Sequence, residues 1–175
     1  MTTFRAVASA LLTGITALGV VAAPEAVSID GRWRVVGEGA QVVVLDGAEP
    51  VRTLPARSLY GAESAAVRQV HYLPARSSFV IAFQAPMREV WELSVDPGAA
   101  PVFDGMVHDH RMGEVIAAPG FLGVRRTPLD WPVDALVADA TGGPFVLVRD
   151  PGAWLLINLD VRRAIARYPQ RLQGD

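Results

Sequence analysis

From Gly31 onward the sequence is a succession of short β-type runs broken by turn residues, with no helix-length periodic stretch between them. The runs are 33–36, 41–45, 51–54, 67–72, 78–83, 89–95 and 101–103, then 135–138, 145–149, 154–159 and 163–168. They are rich in Val, Ile, Phe and Trp, and their lengths suit strands rather than helices. Only 161–167 has helical propensity, and it follows a strand too closely to form a substantial helix. The class this predicts is all-β.

The spacing of the runs says more. Within 145–168, strand, turn at Asp150-Pro151-Gly152, strand, turn near Asp160 and strand follow in tight succession. Residues 67–103 repeat the plan, with turns at Pro74-Ala75-Arg76 and Ala85-Pro86-Met87, and 41–54 carry a shorter version around Asp46-Gly47. A meander whose middle strand ends in Ile157-Asn158-Leu159-Asp160 is typical of a propeller blade, whose two faces both pack on neighbours and so favour unbroken apolar runs. The expectation is an incomplete β-propeller of two to three antiparallel meander blades, in segments 33–54, 67–103 and 135–168. A sandwich or a small barrel gives similar strings. Closed propellers need at least about four blades, so either copies of the chain or a partner chain supply the remainder, or the chain is a remnant of a longer gene, or the fold is not a propeller.

The first residues are a separate object. Arg5 opens a cationic start, residues 6–22 are uncharged and mostly apolar, and small residues precede Pro24. This predicts a Sec-type signal peptide over 1–22, cut near Ala22/Ala23, a domain over 23–175, a periplasmic location and no membrane association after cleavage. The other reading, an anchor helix, suffers from a run at the short end for a span. In the whole chain 51% of residues are apolar and 19% charged, which favours a packed core over disorder. A net charge of −2 without a basic run excludes nucleic acid as a partner. The absence of cysteine excludes disulfides, thiolate metal sites and covalent c-type haem attachment. All 16 basic residues are Arg, the better bidentate partner for carboxylates.

Residues 105–132 read as a loop insertion of weak strand signal, the kind of long irregular segment that often carries function. His108 and His110 would share one face of an extended segment, but two ligands do not close a metal site, and no metal centre is expected. They are either exposed loop residues or, as neutral imidazoles, a haem ligand or proton donor. Arg125-Arg126 with Arg111 could clamp carboxylates, or could form a solvated loop paired to Glu114 or Asp130. The four tryptophans read as packing residues. No nucleophile elbow, phosphate loop or dinucleotide fingerprint is present.

The stretch 75–83, then Glu89-Val90-Trp91-Glu92-Leu93-Ser94, Asp104-Gly105-Met106-Val107-His108-Asp109, 125–130 and 157–163 together resemble the d1-haem-type β-propeller family. That family comprises the d1 domain of cytochrome-cd1-type nitrite reductase and the related periplasmic protein of d1-haem maturation. The resemblance implies a propeller holding haem d1, a tetrapyrrole, with His108 in the place of a distal catalytic histidine. It implies carboxylate contacts from Arg76, Arg125 and Arg126, with Arg111 nearby. The Pro-His-containing Gly-rich loop that follows the Asp-Val-Arg-Arg strand in the family is replaced here by residues 168–175, so a second distal histidine and a proximal ligand cannot be placed. The implied function is an exported accessory or binding protein linked to nitrite respiration or d1-haem maturation, without independent catalysis. The alternatives are a nitrite-reductase-like, haem-dependent oxidoreductase completed by a partner chain, and a truncated structural or interaction remnant.

Overall fold

The computed structural model describes residues 22–59, 61–103, 117–138 and 143–169. Their strands form three four-stranded antiparallel sheets, each a meander in chain order. Blade 1 contains β1 (Glu25–Val27), β2 (Trp33–Glu38), β3 (Gln41–Asp46) and β4 (Glu49–Pro55). Blade 2 contains β5 (Val67–Leu73), β6 (Ser78–Phe83), β7 (Glu89–Ser94) and β8 (Val124–Pro128). Blade 3 contains β9 (Ala135–Ala138), β10 (Phe145–Arg149), β11 (Ala153–Asn158) and β12 (Arg163–Pro169). The first strands β1, β5 and β9 pack on one another in turn, so they form the hub, and the fourth strands lie at the rim. This arrangement is that of consecutive propeller blades, as the meander spacing predicts, and no α-helix occurs among the described residues.

Two apolar seams hold the blades together. In β6 the side chains alternate between them. Phe79, Ile81 and Phe83 point to a cluster with Trp33, Val35, Val42 and Val44 of blade 1. Val80 and Ala82 point to a cluster with Leu136, Val146, Val148 and Ile157 of blade 3. Every residue of β6 is buried, which is why its sequence runs Ser-Phe-Val-Ile-Ala-Phe with no polar alternation. Burying side chains of this size contributes about 1.5–3 kcal/mol each. Gly37 sits at the tightest point of the first seam, where an added Cβ would come within 2.4 Å of the Val67 Cβ. The outer strands β4 and β12 are largely exposed, and Pro50, Pro55 and Pro169 with Arg52, Arg163 and Arg167 blunt those edges against further pairing.

Two elements differ from the sequence expectation. The fourth strand of blade 2 is Val124–Pro128, inside the stretch expected to be a loop insertion; residues 101–103 contribute only the single bridge Val102–Ala118. Val124–Pro128 escaped the apolar pattern because it is held by cross-strand polar pairs: Arg125 lies opposite Glu92 and Arg126 opposite Trp91. Blade 1 also begins earlier, with β1, a strand of three residues that is too short to show periodicity. The expected signal peptide falls on residues 1–22, almost all of it outside the described residues.

Candidate functional site

At the end of the blades where β6 begins and β7 ends, a cleft of about 500 Å3 opens between blade 2, the turn between β11 and β12, and the segment joining β7 to β8. Its wall carries three guanidinium groups, Arg76, Arg125 and Arg162, and three carboxylates, Glu92, Asp96 and Asp160. The remaining lining is small or apolar, with Ala99, Pro101, Val102, Phe103 and two glycines. The charge of the wall is therefore balanced, and the chemistry of the cleft depends on which guanidinium N–H groups are already engaged.

Glu92 organises the pairing. It lies on β7, and its side chain is 5% exposed. Arg76 Nε donates to Oε1 at 2.7 Å and Nη2 donates to Oε2 at 3.2 Å. The Ser78 hydroxyl donates to Oε1 at 3.0 Å, and Arg125 Nη1 stands 3.7 Å from Oε2. The Arg76 Nη1 reaches Asp160 of blade 3 at 2.9 Å. These partners, Glu92 first, raise the Arg76 pKa above its ordinary value. Arg125 Nη2 donates to the carbonyls of Leu159 and Asp160, both at 3.3 Å, and Arg162 Nη1 donates to the Phe103 carbonyl at 2.9 Å. Arg76 is thus fully committed, while Arg125 is held by long contacts and is about one-third exposed.

Local backbone geometry shapes the rest. The three non-glycine residues with positive φ among the described residues are Ser77, Leu122 and Arg162, at 43°, 54° and 51°. Each lies in or beside a loop bordering this cleft, and such conformations are costly for residues with a Cβ. Gly120 lets the chain pass against itself at the floor, since a Cβ there would meet the Ala99 and Ala100 carbonyl oxygens at 2.2 and 2.1 Å. The same segment is anchored on blade 1, where Phe121 packs edge-on against Trp33 at 5.8 Å and Arg52 donates to the Leu122 carbonyl at 2.7 Å.

The structure therefore brings Arg76 and Arg125 together and sends Arg126 elsewhere. Adjacent strand residues face opposite ways, so Arg126 covers the Trp91 ring at 4.8 Å and approaches Glu89 at 3.8 Å on the blade 1 side. His108, His110 and Arg111 lie outside the described residues. Glu92 does not stand out in the sequence, where no carboxylate pair can be singled out, and Arg162-Arg163 reads there as surface charge in a hairpin turn. The third histidine, His71 on β5, has a buried Nε2 without a hydrogen-bond partner. Among the described residues no cluster of histidine and acidic groups suits a metal ion.

No family model matches the chain, and no curated protein does. Among solved structures it matches the dihydro-haem d1 dehydrogenase NirN in complex with DHE, with a TM-score of 0.62 and 25% identity. The chain has a d1-haem-propeller-like fold. The match covers 86% of this chain and 28% of NirN, so the chain spans under a third of that protein's length.

The cleft can be weighed against a haem of this type on its own donors. A guanidinium with N–H groups on weak partners, flanked by a wall of small residues and Phe103, suits the carboxylate edge of a flat ligand. Among the described residues, Arg125 and Arg162 are the groups that would hold such carboxylates, with Arg76 locked behind them by Glu92.

Proposed function

We propose that this chain is an exported binding or accessory protein of the d1-haem propeller type, which holds a carboxylate-bearing tetrapyrrole without carrying out catalysis alone. Its setting is nitrite respiration or d1-haem maturation. The observation that supports this is the match of 86% of the chain to NirN, a protein solved with DHE bound, together with an arginine-bordered cleft beside blade 2. Bound haem d1 would supply a redox-active iron. The protein's own part would be to orient the macrocycle, with Arg125 and Arg162 as the candidates for its carboxylates, His108 as the distal-histidine candidate and Arg111 as a further candidate contact. The leader expected over residues 1–22 supports a periplasmic location, which intact mass of the chain recovered from the periplasm would test.

The deciding experiment adds a d1-type haem, or another tetrapyrrole with free carboxylates, to the purified chain and follows the Soret band. A saturable shift that weakens about tenfold in Arg125→Ala, as expected for losing a charge-assisted contact, supports the reading. A shift with altered shape in His108→Ala identifies the iron ligand. No shift at ligand concentrations of about 100 μM overturns it.

One observation favours an enzymatic reading, that NirN is named a dehydrogenase. In that case a partner chain completes a haem-dependent, nitrite-reductase-like centre. Turnover appearing only when such a partner is added to the haem-loaded chain would separate the two.

A further inference from the structure

A second concave site lies at the other end of β11 from the arginine-bordered cleft. It is a cavity of about 290 Å3 lined by Trp131, Asp150, Pro151, Gly152 and Arg167. The site belongs to the face of blade 3 that blade 2 covers. Arg167 lies opposite Leu155 and Leu155 opposite Val148, and Val148 is part of the seam between blades 2 and 3. Trp131 stands in the connection from β8 to β9, which is pinned at both ends. The Leu129 N–H donates to the Arg88 carbonyl of blade 2, and the Asp134 N–H to the Arg149 carbonyl of blade 3, both at 2.8 Å.

Two features of these residues are not explained by the fold. Trp131 is 56% exposed, so it departs from the packing role that the sequence suggests, and a pinned backbone holds its broad apolar ring in water. Asp150 is 2% exposed, and its two carboxylate oxygens differ. Oδ1 accepts from the Gly152 and Ala153 N–H groups at 2.8 and 2.6 Å, which builds the turn between β10 and β11. Oδ2 is buried without a hydrogen bond. Arg167 Nη1 stands 3.2 Å from it as an ion pair that lacks hydrogen-bond alignment. A buried carboxylate oxygen left in this state costs free energy, and it is turned toward another residue of the cavity wall.

We propose that Trp131, Asp150 and Arg167 form a binding site for a neutral sugar ring. The carboxylate and the guanidinium cancel in charge, so the site draws neither a cation nor an anion. What it offers is an acceptor beside a fork of donors, next to a flat apolar surface. Neighbouring sugar hydroxyls answer that pattern: one donates to Asp150 Oδ2, the next accepts from Arg167, and the C–H face of the ring lies on the indole. Arg167 is more than half exposed and can shift to admit the hydroxyl. Gly152 keeps the wall open, since a Cβ there would stand 3.6 Å from Arg167 Nη2. The volume suits one ring, either a free sugar or the terminal unit of a glycan. The site takes nothing from the tetrapyrrole reading.

The test titrates the full chain with glucose, galactose, mannose and maltotriose, read by indole fluorescence and by saturation transfer to the sugar protons in NMR. At least one sugar is expected to bind saturably with a Kd of about 1 mM, with transfer strongest to the C–H groups of one ring face. Trp131→Ala, a change at an exposed side chain, should abolish the fluorescence response. Asp150→Asn, which keeps the Oδ1 acceptor of the turn, and Arg167→Ala should each weaken binding about tenfold, with thermal melts verifying the fold. Tighter binding of maltotriose than of glucose assigns the site to a glycan end, and the reverse to a free sugar; both uphold it. No binding of any of the four at about 100 mM overturns the proposal. So does binding that survives both Asp150→Asn and Arg167→Ala, because stacking on an exposed indole alone is not a site. Tighter binding of tetramethylammonium or acetate than of every sugar also overturns it, since the cavity would then read charge. Soret titration of Trp131→Ala reports tetrapyrrole binding separately, so either idea can fail without the other.

Discussion

Glu92 and Arg76 meet at two points, 2.7 and 3.2 Å, with the carboxylate almost wholly withdrawn from water. The pair ties the start of β6 to β7, and through Asp160 it ties blade 2 to blade 3.

Removing Arg76 leaves a buried carboxylate with Arg125 at 3.7 Å as its nearest remaining cation. Arg76→Ala is therefore expected to cost about 3 kcal/mol, near the lower range for breaking a buried pair. Arg76→Lys, which keeps the charge but loses the fork, should fall between that variant and the wild type. Urea denaturation at neutral pH measures both.

Acid should loosen blade 1. The Ser28 hydroxyl and the Arg32 N–H hold the Asp30 carboxyl below its ordinary pKa, and the Arg32 guanidinium, bound at 2.9 and 2.8 Å, does the same for Asp46. A carboxylate with a lowered folded pKa stabilises above its unfolded value and loses that contribution as pH falls through the folded one. Stability should thus decline below about pH 4, and Asp46→Asn should flatten that part of the curve. Thermal melts across pH 2–7 would show it, and an unchanged slope would remove these residues from the acid response.

The seams are intolerant of volume. Gly37→Ala places a methyl group against Val67 and should destabilise by about 1–3 kcal/mol, measured as a lower melting temperature. Gly120→Ala should be worse, because the atoms it meets are backbone carbonyls that cannot turn aside.

Phe79→Ala, which empties part of the seam between blades 1 and 2, should cost about 3–5 kcal/mol. Surface changes on β4, such as Thr53→Ser, should stay within about 0.5 kcal/mol. Denaturant midpoints separate the two.

The blade plan was readable because β6 and β10 bury both faces or alternate cleanly, so their runs stand out as strands. β8 was hidden because its sequence, Val-Arg-Arg-Thr-Pro, derives its place from Glu92 and Trp91 on the neighbouring strand, and those partners are some 30 residues away in sequence. For the same reason Arg125 and Arg126 read as one basic pair, whereas the strand turns one toward the cleft and the other toward Trp91. Arg162 became visible only once the β11–β12 turn, with Asn158 Oδ1 accepting from the Asp160 N–H at 2.9 Å, set its backbone and aimed it at Phe103.

Blade 2 is clasped on both sides, while blades 1 and 3 are each clasped on one. The middle sheet therefore acts as a keystone: neither neighbour touches the other's seam, and each depends on it for half of its shelter. Amide hydrogens of Val80–Phe83 and Val90–Leu93 should outlast all others in deuterated water, while those of β4 and β12 exchange first. Opening would then run inward from the two flanks, and collapse of the centre would release everything at once.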